Sequence, residues 1–172
     1  MDKKILSLLI FGVCLPTISF ALAMLTPQNT PKILGYFTVE LKVENAFNVY
    51  GWQAVVEFDP QKIMIIDVTP GDFLDASSTN ETSVNISDHG YRVANKSFFV
   101  YHIRDQTKLI IAQTLLGEED GKSGDGTLAY IKFGYLTEDY QNAFHLIFND
   151  SIYKTQLVNN NLLPTNGQIV IG

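Results

Sequence analysis

The 172-residue chain has one cysteine, Cys14, and it sits inside an N-terminal apolar run. Everything after it lacks a thiol, which excludes a disulfide framework, a thiolate nucleophile and a cysteine metal site there. A basic stretch is also missing. The chain carries 12 Lys and Arg against 18 Asp and Glu, a formal charge of −6. Such a surface is a poor match for nucleic acid, where phosphate neutralisation dominates binding. Histidine is scarce: His89, His102 and His145 form no HExxH pair or other close ligand pattern. His102 and His145 fall within strand patterns and His89 in a polar loop, where structural or surface roles are the default. Helical periodicity is weak throughout residues 24–172, and Ser83 and Ser97 have no nucleophile-elbow context. The chain is therefore expected to be no enzyme, with no catalytic residues, no metal ligands and no cofactor.

Residues 1–23 read as a signal peptide. Lys3 and Lys4 form a positive start, Ile5 to Phe20 is apolar, and Ala21-Leu22-Ala23 is a small-x-small cleavage site. The apolar run is shorter than the ~20 residues of a membrane span. The expectation is a secreted protein, extracellular or at the cell surface, with no transmembrane segment after cleavage. Residues 24–172 are long enough for one domain with its own core. Residues 1–23 contain Asp2, Lys3 and Lys4, a net +1, so the remainder sits near −7.

Strand patterns fill that remainder. Tyr36 to Glu44 alternates, with Phe37, Val39, Leu41 and Val43 on one side. Asn45 to Asn48 reads as a turn. From Tyr50 to Phe58 the apolar side is Trp52, Ala54, Val56 and Phe58, and the opposite side is Gly51, Gln53, Val55 and Glu57. Asp59-Pro60 breaks that strand, because proline restricts its predecessor and donates no ladder bond. Asp59 is expected to accept backbone hydrogen bonds there. Lys62 to Val68, Ser97 to Ile103, Lys108 to Leu116, Thr127 to Tyr135, Phe144 to Phe148 and Gln168 to Ile171 are further strands. Weaker ones lie around Thr82 to Ile86 and Tyr91 to Val93. Arg104 to Thr107 is a hairpin connection, and Pro70-Gly71-Asp72 is a turn. Roughly nine strands at this spacing argue an all-β sandwich.

Three chemical readings are open in these residues. Glu57 and Asp59 with Glu118 or Asp120 would make a glycosidase-like carboxylate set only if they converged. The acidic, glycine-rich stretch 118–126 invites weak calcium binding, although its spacing is not that of an EF-hand. Tyr50, Tyr91, Tyr101, Tyr130, Tyr135 and Tyr140 would suit a polysaccharide if they formed a flat row, whereas Trp52 belongs to the core.

Two separated motifs carry a resemblance. NVYGWQAVVEFDPQKIMIIDVTPGDFL resembles the opening of cohesin domains: a strand with Tyr-Gly-Trp, a Phe-Asp-Pro corner, and a strand closing at Gly-Asp-Phe-Leu. SFFVYHIRDQTKLIIAQTLLGEEDGKSGDGTLAYIKF is similar to the cohesin pattern of paired strands, glycine loop and following strand. The match runs from about Phe37 to Phe133, more loosely to Gly172. It implies a nine-stranded jelly-roll sandwich, close in fold to some carbohydrate-binding modules. It also implies a receptor for a dockerin module, with calcium on the dockerin side. The resemblance places partner contacts on the outward side of the strand before the Asp-Pro corner. An Asn and an Asp important in one major cohesin type fall on Gly51 and Gln53. The expected partner-binding set is thus Gly51, Gln53, Val55 and Glu57, extended by Gln106, Thr107 and Lys108, with Val55 as an exposed apolar centre. Direct polysaccharide binding and a structural role in a cell-surface assembly are the alternatives.

Overall fold

The computed structural model describes residues 31–74, 82–86, 88–94, 96–117, 119–149 and 152–172. The expected signal peptide lies outside them. Among the described residues no helix is long and apolar enough to cross a membrane.

The described residues form eleven strands: β1 (Gly35–Val49), β2 (Gly51–Phe58), β3 (Ile63–Pro70), β4 (Thr82–Ile86), β5 (His89–Val93), β6 (Ser97–Arg104), β7 (Lys108–Leu115), β8 (Lys122–Tyr135), β9 (Phe144–Ile147), β10 (Gln156–Val158) and β11 (Gln168–Ile171). The smaller sheet runs β11-β1-β8-β3 and the larger β10-β2-β7-β6-β5-β4. Every pairing is antiparallel. Both β9 and β10 lie along the same side of β2. The first pairs with Val55–Phe58 and the second with Gly51–Gln53. The expected all-β jelly-roll sandwich is thus present, with more strands than the nine anticipated. The three-residue β10 had too little alternation to register as a strand.

The inward residues follow the sequence pattern. Leu41 and Val43 of β1, Trp52, Ala54 and Val56 of β2, Leu109 and Ile111 of β7, and Ile131 and Phe133 of β8 are buried in one core between the sheets. Phe133 stacks with Phe37 at 5.3 Å and with Phe144 at 5.4 Å. Trp52 is 3% exposed and donates its indole N–H to the buried Gln113 side chain at 3.3 Å. That bond satisfies a polar atom whose burial would otherwise be costly.

Two expected breaks differ. The anticipated turn at 45–48 is a continuation of β1. Asn45 and Asn48 both take left-handed conformations, with φ of 52° each, and the register with β8 shifts around them. Asparagine tolerates that conformation better than most residues. Asp125 Oδ1 accepts the Asn45 N–H at 2.7 Å and Ser123 Oγ the Asn48 N–H at 2.9 Å. The asparagines therefore bulge the strand without ending it. For the same reason β8 starts at Lys122, inside the stretch expected to be a loop.

The corners are as anticipated. Asp59 Oδ1 accepts the Gln61 N–H at 2.9 Å, and its carbonyl accepts from Lys62 and Ile63. At Gly71 a Cβ would lie 2.1 Å from the Thr127 carbonyl oxygen, so only glycine lets β3 leave β8 this closely. The β6–β7 hairpin turns through two left-handed residues, Asp105 and Gln106, with φ of 51° and 59°. Consecutive positive φ values suit the right-handed twist of the strands they join.

Candidate partner-binding face

Register determines what the larger sheet shows on its outward side. Gly51, Gln53, Val55 and Glu57 of β2 pair with Thr114, Ala112, Ile110 and Lys108 of β7. Those four pair in turn with Phe98, Val100, His102 and Arg104 of β6. Val93, Tyr91 and His89 of β5 lie opposite Phe98, Val100 and His102. The face therefore runs from an apolar end at Phe98 and Val100 to a polar end at His102 and Arg104.

The expected partner set does lie on this face and on the hairpin beside it, but it is not one exposed patch. Val55, expected as the exposed centre, is 0% exposed. It is nevertheless absent from the main core, so something outside the sheet buries it. The segment that reaches this point is Tyr153-Lys154-Thr155. Thr155 Oγ1 accepts the Val55 N–H at 3.0 Å, and the same hydroxyl donates to the Ile147 carbonyl. The Tyr153 ring lies beneath the Arg104 guanidinium, 5.7 Å from centroid to carbon, although β6 is two strands away from β2. Gln53 is drawn into the same arrangement, its amide donating to the Lys154 carbonyl at 3.0 Å. Val55 is thus an outward residue with a cover, and the expectation of exposure is corrected.

The other six residues divide around that cover. Gly51, itself buried, and Gln53 border a depression of about 390 Å³ at the apolar end, with Phe98, Val100, Ala112, Val158 and Leu162. Glu57 and Thr107 border a second hollow of about 380 Å³ with Asp59, Pro60 and His145. Glu57 pairs with His145 at 3.2 Å. Lys108 stands opposite Glu57 across the ladder, and Gln106 is exposed at the hairpin tip.

Several residues of the apolar end were not anticipated. Phe98 and Val100 alternate with the inward Phe99 and Tyr101, so four consecutive large residues hid which two point outward. Tyr91, 38% exposed, extends the apolar surface, its ring 6.2 Å from that of Phe98. Leu162 is 73% exposed and left-handed, with φ of 60°. Asn159 builds the turn that presents it: the carboxamide oxygen accepts the N–H groups of Asn161 at 2.9 Å and Leu163 at 3.1 Å. The only sequence signal was Asn-Asn-Asn-Leu-Leu-Pro, a turn-rich stretch carrying two exposed leucines.

The other chemical readings also find their places. Asp125 and Ser123 are engaged with β1, and Glu119 pairs with Lys96 at 3.1 Å. Glu118 lies outside the described residues, and the described acids of 119–126 do not converge on a common point; Glu57 and Asp59 border one hollow and Asp120 another. Among the described residues, the one group of histidine and acidic side chains that does converge is Asp88, His89 and His102. The hydrogen bond with His89 holds the Asp88 carboxyl below its ordinary value of 3.8. The tyrosines are scattered. Tyr101 is buried, and Tyr91 and Tyr130 are exposed on opposite sheets.

Comparison with known proteins agrees with this architecture. No curated protein sequence matches the chain. Among solved structures it is similar to a non-cellulosomal cohesin from the hyperthermophilic archaeon Archaeoglobus fulgidus. The two are 17% identical over 79% of this chain and 75% of that one, with a TM-score of 0.48. It is also similar to the second type II cohesin module from the adaptor ScaA scaffoldin of Acetivibrio cellulolyticus. That likeness is 16% identity over 80% of this chain and 78% of that one, with a TM-score of 0.51, a likeness of fold. The cohesin domain family matches residues 35–171, nearly all of the described sandwich. The chain belongs to the cohesin domain family.

Proposed function

We propose that this cohesin-family interaction module receives a dockerin-type partner on the outward face of the larger sheet. The observation that carries the reading is the apolar depression around Phe98, Val100 and Ala112, rimmed by Gln53, Thr114 and Gln156 and overhung by Leu162. An apolar centre with a polar rim is the usual anatomy of a protein interface. Anchors of this kind carry most of the binding free energy. Gly51 supports the reading because its missing side chain deepens the floor where a large residue would fill it. The module has no chemistry to perform in this role. Calcium would belong to the partner, and the partner would meet the module outside the cytoplasm, as residues 1–23 lead one to expect.

The test is calorimetry of the chain against a panel of calcium-loaded dockerin modules, with and without chelator. Val100→Asp is expected to weaken the best binder at least about tenfold, or about 1.4 kcal/mol. Tyr130→Ala, on the opposite sheet, should leave affinity unchanged. Loss of binding in Tyr130→Ala with none in Val100→Asp would put the partner on the wrong sheet for this reading. Retention on insoluble polysaccharide with no dockerin bound would favour direct sugar recognition.

A further inference from the structure

The chain has three histidines, and the fold brings two of them together across one rung of the larger sheet. The Ile103 N–H donates to the Asp88 carbonyl at 2.6 Å, so Asp88 and Ile103 occupy a hydrogen-bonded rung position. Antiparallel rungs alternate, so the next one, His89 opposite His102, is of the non-hydrogen-bonded kind. Directly opposed side chains approach most closely there, with Cα atoms about 4.5 Å apart. Both imidazoles project from the outward face. Their rings are 6.4 Å apart and inclined at 57°, an arrangement that is not stacked. Asp88 closes the group, its Oδ1 2.6 Å from His89 Nδ1. One ligand atom from each of the three side chains lies within 4.8 Å of the others.

We propose that Asp88, His89 and His102 form a binding site for a divalent transition metal of the zinc class. The donor set decides the class of ion. Two imidazole nitrogens and one carboxylate suit zinc, copper or nickel, whereas calcium and magnesium take oxygen ligands in larger number. Bonds of about 2.0–2.2 Å in a tetrahedral site set ligand atoms about 3.3–3.6 Å apart, so metal entry opens the 2.6 Å Asp88–His89 contact, replacing its hydrogen bond, while His102 adjusts to the same spacing. All three side chains are exposed, which leaves their torsions room to adjust. A hydrogen-bonded surface pair would account for Asp88 and His89. It does not account for His102, which completes a three-ligand set from the neighbouring strand. Three protein ligands leave a fourth position for water or for a donor from a bound partner.

The experiment is calorimetric titration of the full, tag-free chain with zinc chloride, with calcium chloride as a parallel arm. One zinc per chain is expected and no saturable calcium binding at this site. His89→Ala and His102→Ala should each weaken zinc by at least about tenfold, since loss of even an outer partner commonly costs that much. Asp88→Asn should also weaken it, whereas His145→Ala, outside the group, should not. Imidazole nitrogen shifts of His89 and His102 on zinc addition provide a readout independent of affinity. Unchanged zinc affinity in both histidine variants overturns the proposal. So does zinc binding that leaves those resonances unmoved, or a site that calcium fills equally well.

Discussion

Replacing Val55 by alanine distinguishes a covered outward residue from an exposed one. The side chain is 0% exposed, so truncation removes two carbons from a filled site. At about 0.8 kcal/mol per buried methylene the transfer loss is about 1.6 kcal/mol. A residual cavity adds to it, giving about 1.5–2.5 kcal/mol in all. In a domain of this size that corresponds to a fall of about 3–10 °C in melting temperature. Urea denaturation of the full chain measures the loss directly, and an unchanged m-value shows that the same surface is still exposed on unfolding. Trp52→Ala provides the scale, because a core tryptophan truncated to alanine costs about 3–5 kcal/mol. The partner assay completes the comparison: Val55→Ala should bind as the parent does, since its side chain reaches no surface. A stability change within about 0.5 kcal/mol, the range of ordinary surface substitutions, would refute the reasoning. It would mean that residues 153–155 do not cover β2.

Two further outcomes follow from the same geometry. Leu162→Asn places a residue tolerant of left-handed backbone at φ 60°, so stability should hold or rise by up to about 1 kcal/mol while partner affinity falls; thermal melts beside calorimetry check it, and destabilisation would contradict it. Burial raises the Tyr101 phenol above its ordinary 10.0, with Asp67 and Asp88 adding to the shift. The unfolded chain then loses this proton first. Its contribution to stability is complete below pH 10 and declines as pH rises toward the folded value. Tyr101→Phe should flatten that decline in urea melts across the alkaline range.

The core was legible because period-two alternation at Phe37–Val43 and Trp52–Phe58 leaves one assignment of faces. The Asp-Pro corner and the hairpin at 104–107 were legible because turn chemistry is local. What escaped depended on distant segments. Asn45 and Asn48 looked like a turn because nothing nearby reveals Asp125 and Ser123, which hold them in the strand. Val55 looked exposed because alternation gives direction but not cover, and its cover comes from about 100 residues later in the chain. His89 and His102 are 13 positions apart, and their convergence depends on the β5–β6 register.

The shared flank of β2 has a consequence for how the molecule can associate. A long strand left open at the side of a sheet is a template for foreign strands and for fibrous self-association. Here that side is occupied by β9, four residues long, and β10, three residues long. Beyond β10 the chain folds back at once, with Pro164 bridging Val158 and the Thr165 N–H donating to the Leu157 carbonyl. An incoming strand finds only short runs of main-chain groups before the ladder ends, and proline offers it no N–H. Main-chain zippering is thereby discouraged on this side, and encounters are directed to side chains on the flat of the sheet. A molecule that works by meeting other proteins can in this way stay selective without polymerising.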